Sequence, residues 1–281
     1  MVLSKDTNTV YLSELLHTDS RFTNSCNKLT TILDKHGIPY MFIKATKDIW
    51  CRDYMPVQIE KGELVQFRYE PSYLKDDLHL QSDPKIVCQA NNLNPEFTKI
   101  NLDGGNIVNW SDRAIITDRI FDENPEFKSK TKLISEIEKL LNVELIVIPQ
   151  IKSDMTGHAD GLVRFVDRST ILGNDREQEY TYWKNGINKV LEEHGIEYID
   201  VPFFEFKERK YKDNAIGCYI NFLEVKNLIV LPIFEIDRNL DGEAFNLFKK
   251  VYSDRVIETI NFNEVGFLGG LLNCTTWTIQ E

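Results

Sequence analysis

Four short stretches carry side chains able to do chemistry. Gly157-His158-Ala159-Asp160 sets an imidazole and a carboxylate two residues apart, just before the apolar run Leu162-Val163-Arg164-Phe165-Val166. A strand puts residues two apart on one face, so His158 and Asp160 share one space if the extended backbone begins early enough. Asp48-Ile49-Trp50-Cys51-Arg52-Asp53 mixes aromatic and charged residues in a way no core pattern explains. Asp103-Gly104-Gly105-Asn106 puts a carboxylate at the head of a turn signal. Gly269-Gly270-Leu271-Leu272-Asn273-Cys274 ends on a thiol.

A thiolate is the strongest nucleophile that a side chain offers near neutral pH. Carboxylates crowded around it raise its pKa while the site is empty, and a bound cation reverses that effect. A planar guanidinium, with its fork of N–H donors, is the best cationic partner for paired carboxylates. Asp53, Asp103, His158, Asp160 and Cys274 together therefore describe attack of a thiolate on a guanidinium carbon. The histidine would give a proton to the leaving nitrogen and later take one from water.

Each stretch also has a plainer reading. Arg52 and Asp53 could form a buried ion pair under Trp50, Asp103 to Asn106 could be an ordinary turn, and Cys274 could be a core thiol. A histidine among aspartates also permits a metal-dependent hydrolase. His17, His36, His79 and His194 have no ligand-like spacing, so the expectation is no metal and no other cofactor.

The elements that must position these residues follow a recurring order of helix, strand, unusual loop, strand, strand. It occurs five times, with helices beginning near Asp19, Pro84, Lys130, Glu179 and Asp241. Apolar residues at helical spacing mark the helices, as with Phe22, Cys26, Leu29, Ile32 and Leu33. Equivalent crossover connections leave the loops after equivalent strands on one side of the fold. A closed ring of five units would gather Trp50–Asp53, Asp103–Asn106, His158–Asp160 and Gly269–Cys274 at its centre. No linker or low-complexity segment interrupts residues 1–281, so a single domain is expected.

The net charge is −11. Such an acidic chain is a poor binder of nucleic acid and suits a cationic substrate better. No apolar run approaches the length of a membrane span, and Met1 to Asp6 shows no basic and apolar leader pattern. The five cysteines are widely spaced, which reads as reduced thiols in a cytoplasm. A homo-oligomer is compatible with this composition.

The motifs together carry a resemblance. Trp50-Cys51-Arg52-Asp53-Tyr54-Met55-Pro56 resembles the W-x-R-D-x-x-P motif of the agmatine deiminase and bacterial peptidylarginine deiminase family. Asp103-Gly104-Gly105-Asn106 is similar to its acidic-Gly-Gly motif, Gly157–Asp160 to its G-H-x-D motif, and Gly269–Thr275 to its G-G-x-x-x-C-x-T motif. Tyr219-Ile220-Asn221-Phe222 resembles a further Y-I-N-F stretch. The resemblance implies the five-bladed α/β propeller, or pentein fold, and hydrolysis of a guanidinium to a ureido group with release of ammonia. It implies Cys274 as nucleophile, His158 as general acid and base, and Asp53 and Asp160 as holders of the guanidinium beside Trp50. Asn221 would shape the thiol's surroundings, and Asp103, Gly104, Gly105, Arg52 and Gly270 would support the site. The substrate implied is agmatine, arginine or a peptide arginine. An amidinotransferase shares the intermediate, and a non-catalytic pentein binding protein shares the fold. Asp103 stands where the family usually has Glu, and the family's N-terminal W-x-A-W-P segment is missing.

Overall fold

The structure, a computed structural model, describes residues 1–281. Its strands form five three-stranded sheets. Four sheets are contiguous in sequence and share one plan. Val57–Glu60, Glu63–Arg68 and Glu96–Asn101 form one, and Val108–Trp110, Arg113–Thr117 and Glu144–Ile148 the next. Val163–Asp167, Thr170–Asn174 and Glu197–Val201 form another, and Leu223–Val225, Leu228–Ile233 and Val256–Asn261 the last. In each, the first two strands pair antiparallel and the third returns through a helix to pair parallel with the second. The remaining sheet is closed by the far end of the chain. Thr276–Ile279 pairs antiparallel with Thr9–Ser13, which pairs parallel with Tyr40–Ile43. The five ββαβ units thus make a five-bladed α/β propeller of the pentein kind.

Local chemistry explains the helices. Thr23–Lys35, Pro84–Ala90, Lys130–Leu141, Thr181–His194 and Arg238–Val251 are the five crossovers. Asp83, Ser129 and Asp237 cap three of them by accepting backbone N–H bonds in the first turn. Asn142 and Gly195 end two of them in the left-handed conformation. Leu133, Ile137 and Leu141 line the buried stripe of one helix, and Trp183, Ile187 and Leu191 that of another. The middle strands are covered on both sides and read as apolar runs. Arg113–Thr117 is buried throughout, with even Arg113 only 6% exposed.

The apolar core lies between neighbouring blades. One cluster unites Val65 and Ile100 with Ile116 and Leu133, and another unites Ile115 and Ile146 with Ile171 and Trp183. The largest runs from Leu172 and Val201 through Val230 and Phe248 to Val10 and Leu29. Ile43, Tyr69 and Trp277 sit in the cluster that closes the ring.

Two expectations from the sequence differ from the structure. The helix expected from about Asp19 begins at Thr23 and runs to Lys35, and a separate short helix, Glu14–Thr18, precedes it. Asp19 stays between them because its carboxylate accepts the Arg21 N–H at 2.9 Å and binds the Arg21 guanidinium. His158 and Asp160 do not lie on an extended strand, since Ala159–Gly161 is a 3-10 turn and the strand begins at Val163. Residues 218–222, buried and mostly apolar, form a turn and not a strand, and the strand begins at Leu223. No helix is long and apolar enough to cross a membrane.

Candidate active site

The segment after the third strand of every blade carries site residues. After Tyr40–Ile43 comes the short helix Cys51–Tyr54, bearing Asp53. After Glu96–Asn101 comes the 3-10 turn Gly104–Asn106, preceded by Asp103. After Glu144–Ile148 comes His158, with Asp160 in the following turn. After Glu197–Val201 comes Asn221, and after Val256–Asn261 comes Cys274. Four of these loops were legible as a convergent set, and the fifth adds Asn221.

His158 sits between two carboxylates. Its Nε2 is 2.9 Å from Asp103 Oδ2, and its Nδ1 is 3.6 Å from Asp53 Oδ1. Both ring nitrogens face acceptors, which favours the imidazolium. Burial pulls the His158 pKa down, but Asp53, Asp103 and Asp160 outweigh it and hold the pKa up to about 10. Burial pushes the Asp53 carboxyl up. His158 opposes that shift, while Asp103, Asp160 and Asp48 add to it. Asp53 Oδ1 also accepts the Gly105 N–H at 3.0 Å.

The Asp103 oxygen that meets His158 has a second partner that the sequence did not reveal. Tyr73 Oη donates to Asp103 Oδ2 at 2.9 Å, and its ring meets the His158 ring edge-on at 6.1 Å. Tyr73 lies in a 3-10 turn within a polar stretch. Its one signal was an aromatic residue in the stretch from Pro71 to Asp83, which reads as polar and loop-like.

Cys274 belongs to a second network, built on Asp160 and Asn221. Asp160 Oδ2 accepts from Asn273 Nδ2 at 2.7 Å, from Asn221 Nδ2 at 3.2 Å and from Cys274 Sγ at 3.5 Å. Asn221 Nδ2 also points at Cys274 Sγ, 3.2 Å away. Asn221 Oδ1 accepts the backbone N–H groups of Asn273 and Cys274 at 3.1 and 3.3 Å. One side chain thereby fixes both the backbone and the sulfur of the cysteine. Burial, then Asp160 and Asp53, push the Cys274 thiol well above its ordinary pKa. These neighbours favour the thiol over the thiolate.

The supporting residues explain their types by close approach. A Cβ at Gly105 would lie 2.5 Å from Asp53 Oδ1 and 2.7 Å from His158 Nδ1. A Cβ at Gly270 would lie 2.5 Å from the Trp50 ring and 3.0 Å from Cys274 Cβ. Trp50 thus packs on the turn that presents the sulfur. Gly104 backs onto the Arg52 carbonyl. Arg52 does not pair with Asp53. Its backbone N–H donates to the Cys274 carbonyl at 3.1 Å and its Nε to the Asn273 carbonyl at 3.3 Å, so it ties the first loop to the last. Arg164 Nη1 donates to Asn273 Oδ1 at 2.8 Å. The other four cysteines are buried and lie outside this constellation. No group of three or more His, Cys, Asp or Glu side chains is arranged to hold a metal ion.

The family described as Porphyromonas-type peptidyl-arginine deiminase matches residues 10–279. The chain belongs to that family. Membership places it among the hydrolases that act on a C–N bond of a guanidino group. It is 23% identical over 283 residues to a Latilactobacillus sakei protein provisionally named an agmatine deiminase, covering 84% of this chain and 76% of that one. Its fold is that of a cysteine-to-serine variant of C. jejuni agmatine deiminase with substrate bound. That likeness has a TM-score of 0.78 at 17% identity, over 100% of this chain and 96% of that one. Enterococcus faecalis agmatine deiminase has a TM-score of 0.74 at 15% identity, over 99% of this chain and 94% of that one.

Proposed function

We propose that the chain deiminates a guanidinium substrate through a covalent thiouronium on Cys274. The observation that carries this reading is the placement of the Cys274 sulfur, 3.5 Å from Asp160 Oδ2 and 3.2 Å from Asn221 Nδ2. His158 stands in the same centre between Asp53 and Asp103. The substrate cation binds between Asp53 and Asp160, with Trp50 as one wall. Its charge offsets the carboxylates that hold the thiol protonated, so the thiol proton is released and the thiolate forms.

The thiolate then attacks the guanidinium carbon, forming a C–S bond. His158 gives its proton to one amino nitrogen, the C–N bond breaks, and ammonia leaves. The thiouronium remains on Cys274. The now neutral His158 takes a proton from water, and the hydroxide adds to the same carbon. Breaking the C–S bond releases the ureido product and restores the thiolate; the last hydroxyl proton passes to solvent, where the ammonia released earlier is taken up as ammonium. No step calls for a cofactor.

The substrate is agmatine, free arginine or a peptide arginine, and it is taken up as a small cationic head. The charged residues of the Glu205–Lys210 loop are exposed, and Lys207 pairs with Glu205 at 2.9 Å, as a solvated surface loop would. The test is turnover: incubate the protein with each guanidine, and with glycine as an amine acceptor, and measure ammonia and ureido product. Ammonia with ureido product is expected. Guanidino transfer to glycine would replace this reading with an amidinotransferase, and no reaction with any guanidine would remove it.

A further inference from the structure

Two guanidinium groups, Arg164 buried and Arg52 half-buried, make no ion pair with a carboxylate, and both line a cavity that touches none of Asp53, His158, Asp160 or Cys274. Arg164 is 6% exposed. Its Nη1 bonds to Asn273 Oδ1 and to the Phe222 carbonyl, and it stacks on the Phe222 ring at 4.5 Å. Arg52 bonds through Nε to the Asn273 carbonyl. All of these acceptors are neutral. Lys5, over the Trp110 ring, lines the same cavity. Glu224 is the one carboxylate lining it; it pairs at 3.6 Å with Arg255, outside the lining, and its single charge is shared among Arg164, Arg255 and Lys5, which leaves the cavity with an excess of cations.

Buried charges in proteins are paired, because an uncompensated charge away from water is expensive. Here neither Arg52 nor Arg164 has an ion-pair partner, and the two cations act on each other across the cavity. Arg164 adds to burial in pulling the Arg52 pKa down. We infer that this cavity is a binding site for one small monovalent anion, a halide or a one-carbon carboxylate, held between Arg52, Arg164 and Lys5. Leu3, Ile107 and Phe165 supply apolar walls. Those walls would leave the outer oxygens of sulfate or phosphate without donors, which selects a small singly charged ion.

The ion would touch none of the reacting groups, so its binding is tested without turnover. Thermal unfolding is followed at fixed pH and ionic strength while sodium gluconate, too bulky for the cavity, is replaced by sodium chloride or by sodium formate. The expected result is a saturable rise in Tm of about 2–4 °C in chloride, in formate or in both. The salt with the lower midpoint identifies the preferred ion. Lys5→Gln, which removes a rim charge and leaves both arginines, should raise that midpoint about two- to fivefold. Crystals soaked in bromide should show anomalous scattering between Arg52 and Arg164. A Tm that is the same in all three salts would overturn the proposal, as would bromide found on the surface alone, an adventitious ion only.

Discussion

Gly105→Ala tests whether the spacing of Asp53 and His158 is what the turn at Gly104–Asn106 maintains. The added methyl carbon would sit 2.5 Å from Asp53 Oδ1 and 2.7 Å from His158 Nδ1. Ordinary contact begins near 3.4 Å, so the carboxylate must retreat by roughly 0.9 Å and the imidazole by roughly 0.7 Å. Neither group is free to move. Asp53 is held by the Gly105 N–H, and His158 Nε2 is held by Asp103, itself fixed by Tyr73. A misplacement of about 1 Å can cost about 10²-fold in rate. Overpacking of this kind costs about 1–3 kcal/mol of stability. The expected result is a fall of about 100-fold in kcat/KM on the best guanidine, with a folded protein and a lowered Tm. Gly161→Ala is the control, because a Cβ there meets nothing within 4 Å. Activity of Gly105→Ala within threefold of wild type would refute the reasoning, as would an equal loss in Gly161→Ala.

Cys274→Ala should abolish turnover and keep guanidinium binding, since Asp53 and Asp160 stay in place. Asp160→Asn should lose both, with about 1.5–3 kcal/mol of binding removed with the charged partner. Calorimetry on the two variants separates these outcomes, and wild-type activity in Cys274→Ala would exclude that thiol as the nucleophile. The His158 pKa, raised to about 10, makes a further prediction. Its imidazole should remain protonated from pH 6 to 8.5 in NMR of the substrate-free protein, and titration near 6.5 would contradict the two-carboxylate cradle. A raised pKa means that the folded state binds more protons than the unfolded one. The stability it contributes is therefore complete below about pH 6.5 and is lost as pH rises toward about 10. The Tm should fall across that window.

Much of the molecule is written in short-range pattern. The stripe Leu133, Ile137 and Leu141 and the stop at Gly195 define helices without reference to anything distant. The five repeats of helix and strands follow from such stripes, and with them the convergence of the loops bearing Asp53, Asp103, His158 and Cys274. Tertiary structure decided what each of these side chains meets. Asp160 turns toward Cys274 and Asn221, while His158 turns toward Asp53 and Asp103, because Ala159–Gly161 coils into a 3-10 turn where alternation suggested a strand. Residues 218–222 are apolar enough for a strand, yet Asn221 must bond the backbone of Cys274, 53 residues away, and the chain turns to allow it. The first blade is completed by Thr276–Ile279, with Tyr11 paired to Trp277 from the opposite end of the sequence. Partners so far apart leave no periodicity to read, because their contact arises from the closure of the ring and not from the spacing of neighbours.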